Sequence, residues 1–149
     1  LYTFWKRTAP PPNMIVFDAP SRETCSVRRE RTNTPLQALT LLNDPQYVEA
    51  ARHLAERALA ARPGIPGRLQ IDQMYTYAFG HPASQTHLEI LEASFEQFRE
   101  TFAARPADAE ALIQVGASDP SPFIDPVDLA SLTLVANQVM NLDSFLNKQ

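Results

Sequence analysis

The chain has 149 residues and a net charge of −4, and 44% of its residues are hydrophobic. This length supports one hydrophobic core, so we expect a single helical domain over residues 1–149. Glycine is scarce and Ala and Leu are abundant, which disfavours a β-sandwich or barrel. The acidic net charge predicts no nucleic-acid partner, and the lack of an apolar run of about eighteen residues predicts no membrane span. The single Cys25 excludes an internal disulfide.

The N-terminal stretch is predicted to form a short aromatic helix followed by extended chain. Residues 1–7 carry large apolar rings that we expect to be buried, those of Tyr2, Phe4 and Trp5. Three prolines at 10–12 favour polyproline geometry and end any helix. The short apolar run 14–17 then predicts an extended segment, with an edge strand as one form of it.

A helix with a strong start signal is predicted next. Thr34 can cap this helix with Pro35 in its first turn, and Gln37 completes a capping box. The helix reaches Asn43 and is apolar on most sides, so we expect it to be central in the fold.

Asp44 followed by Pro45 starts a second helix by the same signal, and this helix ends near Arg62. One face is apolar and rich in alanine, and we expect it in the core: Val48, Ala51, Ala55, Ala58 and Leu59. The charged residues of this helix are expected to face outward: Glu49, Arg52, Glu56 and Arg57. His53 is expected to be a surface residue.

Four further helices are predicted downstream. One spans 68–79 and ends at Gly80, and the next begins at Ser84. Its core stripe recurs at steps of three and four residues: Leu88, Leu91, Phe95, Phe98 and Phe102. A shorter helix covers 106–115, a proline-rich loop follows, and Asp125 opens a last long helix that ends in a final helical turn. The prediction is an all-α fold of five or six helices in an irregular bundle, with an extended Pro-rich and Arg-rich N-terminal segment.

Catalytic and cofactor motifs are missing from the sequence. It contains no CxxCH, HExxH, GxSxG or glycine-rich phosphate loop, so we predict no metal and no bound cofactor and can name no catalytic residue. His81 and His87 flank a helix start and could approach each other, but no spacing rule supports Glu89 or Asp72 as the third ligand that a metal needs. Cys25 is expected to be a structural thiol.

The most polar stretch carries four arginines within ten residues, with acidic residues between them: Arg22, Arg28, Arg29 and Arg31, with Glu23 and Glu30. Because this stretch leads through Asn33 directly into the helix start at Thr34, we expect it to be ordered and partly buried. Three interpretations stay open. The arginines clamp helix ends and the carboxylates of Asp18, Glu23 or Asp44; they contact a neighbouring domain; or they form an anion pocket with the amides at the Thr34 helix start.

Long and specific sequence runs lie near both ends of the chain. RTNTPLQALTLLNDPQYVEAAR at 31–52 is preceded by YTFWKRTAPPP at 2–12 and FDAPSRETCSVRR at 17–29, and the chain ends in LTLVANQVMNLDSFLNKQ. With these runs the chain closely resembles the domain of unknown function 1553 family, which forms the C-terminal part of large planctomycete proteins. The resemblance covers nearly the whole chain, although the middle matches mainly in its helix pattern.

The resemblance implies an architecture and brings no established catalytic residues. In such proteins an exported N-terminal region, often with a c-type haem domain, precedes a companion domain and then this one. The resemblance therefore implies an exported parent, periplasmic or associated with the cell envelope. The chain itself would be a C-terminal fragment without haem that packs on upstream domains of the same polypeptide.

Three functional hypotheses follow. The first is a non-catalytic helical interaction module, which predicts an exposed apolar patch near Phe4 and Trp5. The second is part of a hydrolase or binding module acting on extracellular polysaccharide, with Asp18 and Glu23 as the acid/base pair of a hydrolase. The third is an anion-binding site on Arg28 or Arg31.

Overall fold

The structure, a computed structural model, describes residues 10–20, 32–64 and 66–147, and within these ranges the chain is all-helical. Its eight helices there are α1 Pro12–Val16, α2 Pro35–Asn43, α3 Pro45–Ala61, α4 Arg68–Phe79, α5 Gln85–Ala104, α6 Pro106–Ile113, α7 Pro126–Met140 and α8 Asp143–Leu146. The all-α prediction is confirmed. The predicted count of five or six helices is too low, because the short α1 and α8 add to six longer helices.

The helix starts predicted from capping residues are confirmed. The Thr34 hydroxyl accepts from the N–H of Gln37, and the Gln37 side chain accepts from the N–H of Thr34, which is the predicted capping box. Asp44 caps α3 and Asp125 caps α7, each ahead of a proline that has no N–H to satisfy. Gly80 ends α4 in the left-handed region with a φ of 81°.

The apolar run 14–17 is mostly helical, so the prediction of an extended segment is wrong. α1 begins at Pro12, and the N–H of Met14 donates to the carbonyl of Pro11 at 3.0 Å. Proline presets the φ angle of a first helical turn, and the described residues hold no strand with which this run could pair. α1 packs against α2 instead.

The central helix is α7, whose apolar side chains are buried on every side of it. Six of them have no exposed surface: Leu129, Ala130, Leu132, Val135, Ala136 and Val139. α7 packs against each helix from α2 to α6 and against α8. A helix that is apolar all round is stable only where neighbours cover it, and α7 has those neighbours.

The helix that was expected to be central, α2, lies at the edge of the fold. Only Gln37 and Leu41 are buried on it, while Leu36, Leu39 and Leu42 are exposed. The expectation is wrong because apolar composition does not reveal how many neighbours a helix has.

The predicted core stripes of α3 and α5 are confirmed in most positions. On α3 the small side chains of Ala51, Ala55 and Ala58 are fully buried and allow close packing against α7. On α5 the stripe is buried except at Phe98, which is partly buried against the core. Among the residues that the structure describes, no helix combines the length and the hydropathy that crossing a membrane requires.

Candidate functional site

The most elaborate polar cluster of the described chain surrounds Arg52, on the face of α3 that meets the loop between α6 and α7. The Arg52 side chain is 1% exposed, so the prediction that it faces outward is wrong. Its Nη1 donates to Glu56 Oε1 at 3.1 Å and to the carbonyl of Asp119 at 3.2 Å. Its Nη2 donates to the carbonyl of Ser118 at 2.7 Å and to Ser118 Oγ at 2.9 Å. One guanidinium therefore fastens the loop to α3.

Two carboxylates on the same face of α3, those of Glu49 and Glu56, complete this attachment. Both were predicted to face solvent, but both bind the loop instead. Glu49 Oε1 accepts from the N–H and the hydroxyl of Ser118. Glu56 Oε1 accepts from the N–H of Ser121 at 3.0 Å. Each carboxylate lies about one helical turn from Arg52, so the guanidinium charge is shared between them.

The hydrogen bonds to Glu49 keep its carboxylate ionised. The hydroxyl of Ser118, the backbone N–H groups of Ala117 and Ser118 and the charge of Arg52 lower the pKa of Glu49 to about 2, against a partial opposing effect of burial. The loop comes this close because Gly116 has no side chain. A Cβ there would lie 2.5 Å from Glu49 Cδ, and the φ of Gly116 is 116°.

His53 joins the cluster from the exposed side. Its Nε2 lies 2.8 Å from Ser118 Oγ, and its Nδ1 lies 3.0 Å from Glu56 Oε2. The order hydroxyl, imidazole, carboxylate is that of a nucleophile with its base and orienting acid. The expectation of a surface position holds for His53, whose side chain is half exposed.

The surroundings of Ser118 make its hydroxyl a structural group. A hydroxyl has one proton and two lone pairs. The Glu49 carboxylate accepts the proton, and Arg52 Nη2 donates to one of the lone pairs. A serine hydroxyl that gives its proton to the Glu49 carboxylate and accepts from a guanidinium is a weak nucleophile, so the cluster is suited to holding the loop rather than to acyl transfer.

The residues predicted around the Arg-rich segment are only partly within the described chain. Arg22, Glu23, Arg28, Arg29 and Arg31 lie outside the described residues. Asp18 Oδ2 accepts from the N–H of Thr32 at 2.7 Å and from its hydroxyl at 2.8 Å, and also faces the side-chain amide of Gln37 at 3.4 Å.

The other predicted residues of this region each hold a local position. Asn33 donates to Asp143 of α8 at 2.9 Å, and Asp44 Oδ1 accepts from the N–H of Gln46. The structure therefore brings Asn33 to the C-terminal end of the chain and leaves Asp44 as a helix cap.

The start of α2 offers little to an anion among its described groups. The N–H groups of Thr34 and Gln37 are both used by the capping box, and Pro35 has none. In this first turn the N–H of Leu36 is left as a donor. The anion pocket stays a prediction, with one backbone donor in place of the several that such sites use.

His81 and His87 both lie beside Tyr75 of α4. The Tyr75 hydroxyl lies 3.1 Å from His87 Nδ1, and the Tyr75 and His81 rings meet edge to face. Asp72, the third ligand considered for a metal, accepts from the N–H of Ala83 at 2.9 Å. Within the described ranges no group of three His, Cys, Asp or Glu side chains is placed to hold a metal ion.

Part of the Arg52 cluster can be recognised in the sequence as a polar face of α3. Glu49, Arg52, His53 and Glu56 recur at helical spacing and therefore share one face of α3. A helix face with four polar side chains contacts either solvent or a polar part of the fold. The partner is a loop 66 residues away in the sequence, which no local pattern reveals.

Comparison with known families identifies the family of this chain. The family model described as PSD1, protein of unknown function (DUF1553), matches residues 1–95. The matched part contains α1 to α4 and the α3 side of the Arg52 cluster, while the loop at 114–125 lies beyond it. No match was found among curated proteins or among solved structures.

Proposed function

The chain belongs to the DUF1553 family, and we propose that it is a non-catalytic helical interaction module of a larger multidomain protein. The module docks through the apolar face of α2 against the polypeptide that precedes Pro10, beginning with the aromatic residues 1–5. The observation that carries this proposal is the exposure of Leu36, Leu39 and Leu42 at 59%, 56% and 48%.

These three leucines form one continuous stripe. A step of three residues turns an α-helix by about 300°, so side chains at 36, 39 and 42 share about a third of the helix circumference. Ile15 of α1 is exposed to a similar degree on the adjacent helix. At half exposure each leucine has roughly 1 kcal/mol to gain from burial, which favours a covered state of this face.

The opposite side of α2 is firmly anchored, so the leucine face is held in a fixed orientation. The carbonyl of Leu41 accepts from the side-chain amide of Asn137 on α7 at 3.0 Å, in the buried core. Gln37 Nε2 donates to the carbonyl of Val16 at 2.8 Å. A rigid apolar surface loses little conformational entropy on docking.

The position of Pro10 supports the choice of partner. Pro10 lies just before α1, which packs on α2. Nine residues can span at most about 30 Å, and this segment carries the rings of Tyr2, Phe4 and Trp5. Aromatic side chains supply the large apolar area that such a face can bury.

Other parts of the proposal rest on the family resemblance alone. They are an exported, periplasmic or envelope-associated parent in a planctomycete, upstream domains of the same polypeptide as the partner, and a c-type haem elsewhere in that parent. No observation on the described residues favours the hydrolase alternative: Asp18 is occupied by Thr32 and Gln37, and Glu23 lies outside the described residues.

Trp5 is the only tryptophan in the chain, so its fluorescence tests the proposed contact. We expect Leu36→Ser/Leu39→Ser to shift the emission to longer wavelength and to increase quenching by acrylamide. The matched control is Leu69→Ser/Ile90→Ser, which changes two similarly exposed apolar residues on α4 and α5. Emission typical of free tryptophan in all three proteins would argue against the contact.

The full-length parent extends the test to the upstream domains. We expect the backbone amides of α2 to exchange hydrogen more slowly in the parent than in the isolated chain, and the leucine substitutions to remove this difference. Equal exchange of α2 in both proteins would show that nothing in the parent covers this face.

A further inference from the structure

A second surface lies at the other end of α7 from α2. A groove of about 660 Å³ runs between α6 and the proline-rich loop that leads into α7. Its walls are largely apolar and come from both sides: Ala111 and Ile113 of α6, and Pro120, Pro122 and Ile124 of the loop. A volume of this size is typical of sites that hold a small ligand or a few residues of a peptide.

The groove is preformed, because its loop is fixed to α3. Arg52 holds the carbonyls of Ser118 and Asp119, and Glu56 holds the N–H of Ser121. Three prolines stiffen the rest of the loop. A rigid groove binds without the entropic cost of ordering its own wall.

The groove carries negative charge, and the side-chain donors in its lining are the neutral groups of Gln114 and Ser121. Its rim carries the carboxylates of Glu110 and Asp119, and no Lys or Arg side chain lines it. Within the described part of the chain neither carboxylate has an ion-pair partner. The loop prolines have no N–H, and the N–H of Ser121 is already used by Glu56. Such a surface attracts cationic donors and repels anions.

Phe123 adds an apolar and aromatic feature at the tip of the same loop. It is 95% exposed, more than any other large hydrophobic side chain that the structure describes. An aromatic ring next to a groove can pack on an aliphatic side chain or stack on a guanidinium. Burial of such a ring is the usual anchor of a protein interface.

We propose that this groove binds an extended peptide segment of a partner protein in which arginine or lysine alternates with apolar side chains. The apolar residues fill the space between Ala111 and Ile124, and the basic residues face Glu110 and Asp119. Since α2 packs near Asn137 and the groove begins near Pro126, roughly 15–20 Å of α7 separates the two surfaces. The groove and the α2 face can therefore be occupied together, and this inference does not depend on the α2 contact.

The test uses the chain itself and two synthetic peptides, acetyl-Leu-Arg-Leu-Arg-Leu-amide and its Leu-Glu-Leu-Glu-Leu counterpart. We expect the basic peptide to bind, to shift NMR signals of α6 and residues 119–126, and to bind less tightly as salt is added. The acidic peptide should produce no such shifts. Absence of binding by the basic peptide, or shifts located elsewhere on the chain, would overturn the proposal.

Two variants test the groove residues without disturbing the fold. Glu110→Gln/Asp119→Asn should weaken binding about five- to tenfold, since two exposed ion pairs are lost, and Phe123→Ala should weaken it by a comparable factor. Asp119 uses only its carbonyl to hold the loop, so this variant keeps the attachment to Arg52. Glu89→Gln and Leu69→Ala are the matched controls on α5 and α4. Equal affinities in all these proteins would rule out the groove.

Discussion

Replacing Arg52 by alanine is expected to lower the free energy of unfolding by about 3–5 kcal/mol, the cost of removing one partner from a buried ion pair. The Arg52 side chain is 1% exposed and donates four hydrogen bonds to Glu56 and to the loop. Each buried acceptor that loses its donor costs about 1–3 kcal/mol. We expect less than the sum of four such losses, because the loop can relax and water can reach the exposed side.

Urea unfolding followed by far-UV circular dichroism measures this loss. Arg57→Ala is the matched control on the same helix: Arg57 is exposed and stacks on the Tyr77 ring at 4.4 Å, so its loss should cost less than about 1 kcal/mol. Arg52→Lys should fall between the two, since an ammonium keeps the charge but lacks the planar fork that serves Glu56 and the loop together.

The reasoning is refuted if Arg52→Ala loses less than about 1 kcal/mol, or no more than Arg57→Ala does. Either result would mean that the guanidinium contributes little to fixing the loop between α6 and α7. The groove beside that loop would then lack the rigid wall that we assign to it.

Three further predictions concern the core, the pH dependence and the loop. Phe95→Ala should lower the free energy of unfolding by about 3–5 kcal/mol, and Phe98→Ala should lower it less, because Phe95 is fully buried and Phe98 only partly. Equal losses in urea unfolding would contradict this. The pKa of Glu49 is about 2 in the folded protein against an ordinary 4.5, so protonation favours the unfolded chain and stability falls as pH drops from about 4.5 towards 2. Glu49→Gln should lessen this acid sensitivity of the free energy of unfolding, and an unchanged pH profile would count against the assignment. Gly116→Ala should destabilise the protein more than Gly64→Ala does. Both glycines have positive φ, but only a Cβ at Gly116 would meet a neighbouring side chain. Equal midpoints of urea unfolding for the two variants would contradict this.

The helices and their boundaries could be predicted from the sequence because their signals are local. A capping box joins residues three positions apart, as between Thr34 and Gln37, and a proline acts on its own turn. The stripe of α5 likewise follows from a spacing of three and four residues. The same approach failed at 14–17, where four apolar residues fit a strand and a helix equally well.

The candidate sites could be predicted only in part, since a polar or apolar face is visible in the sequence but its partner is not. The face with Glu49, Arg52 and Glu56 was visible, yet the loop it holds lies 65 or more residues away. The groove at α6 had no sequence signal, because it arises from the distance between a helix and a loop.

The sequence by itself determined that this chain is helical, where most helices begin and end, and which side chains share a face. Tertiary structure alone decided that α7 rather than α2 occupies the centre, and that Arg52 is buried while Leu36, Leu39 and Leu42 are exposed. The physical reason is that periodicity depends on the backbone of one helix, whereas burial depends on which other helices pack against it. The leucine face of α2 and the groove beside α6 are consequences of that packing.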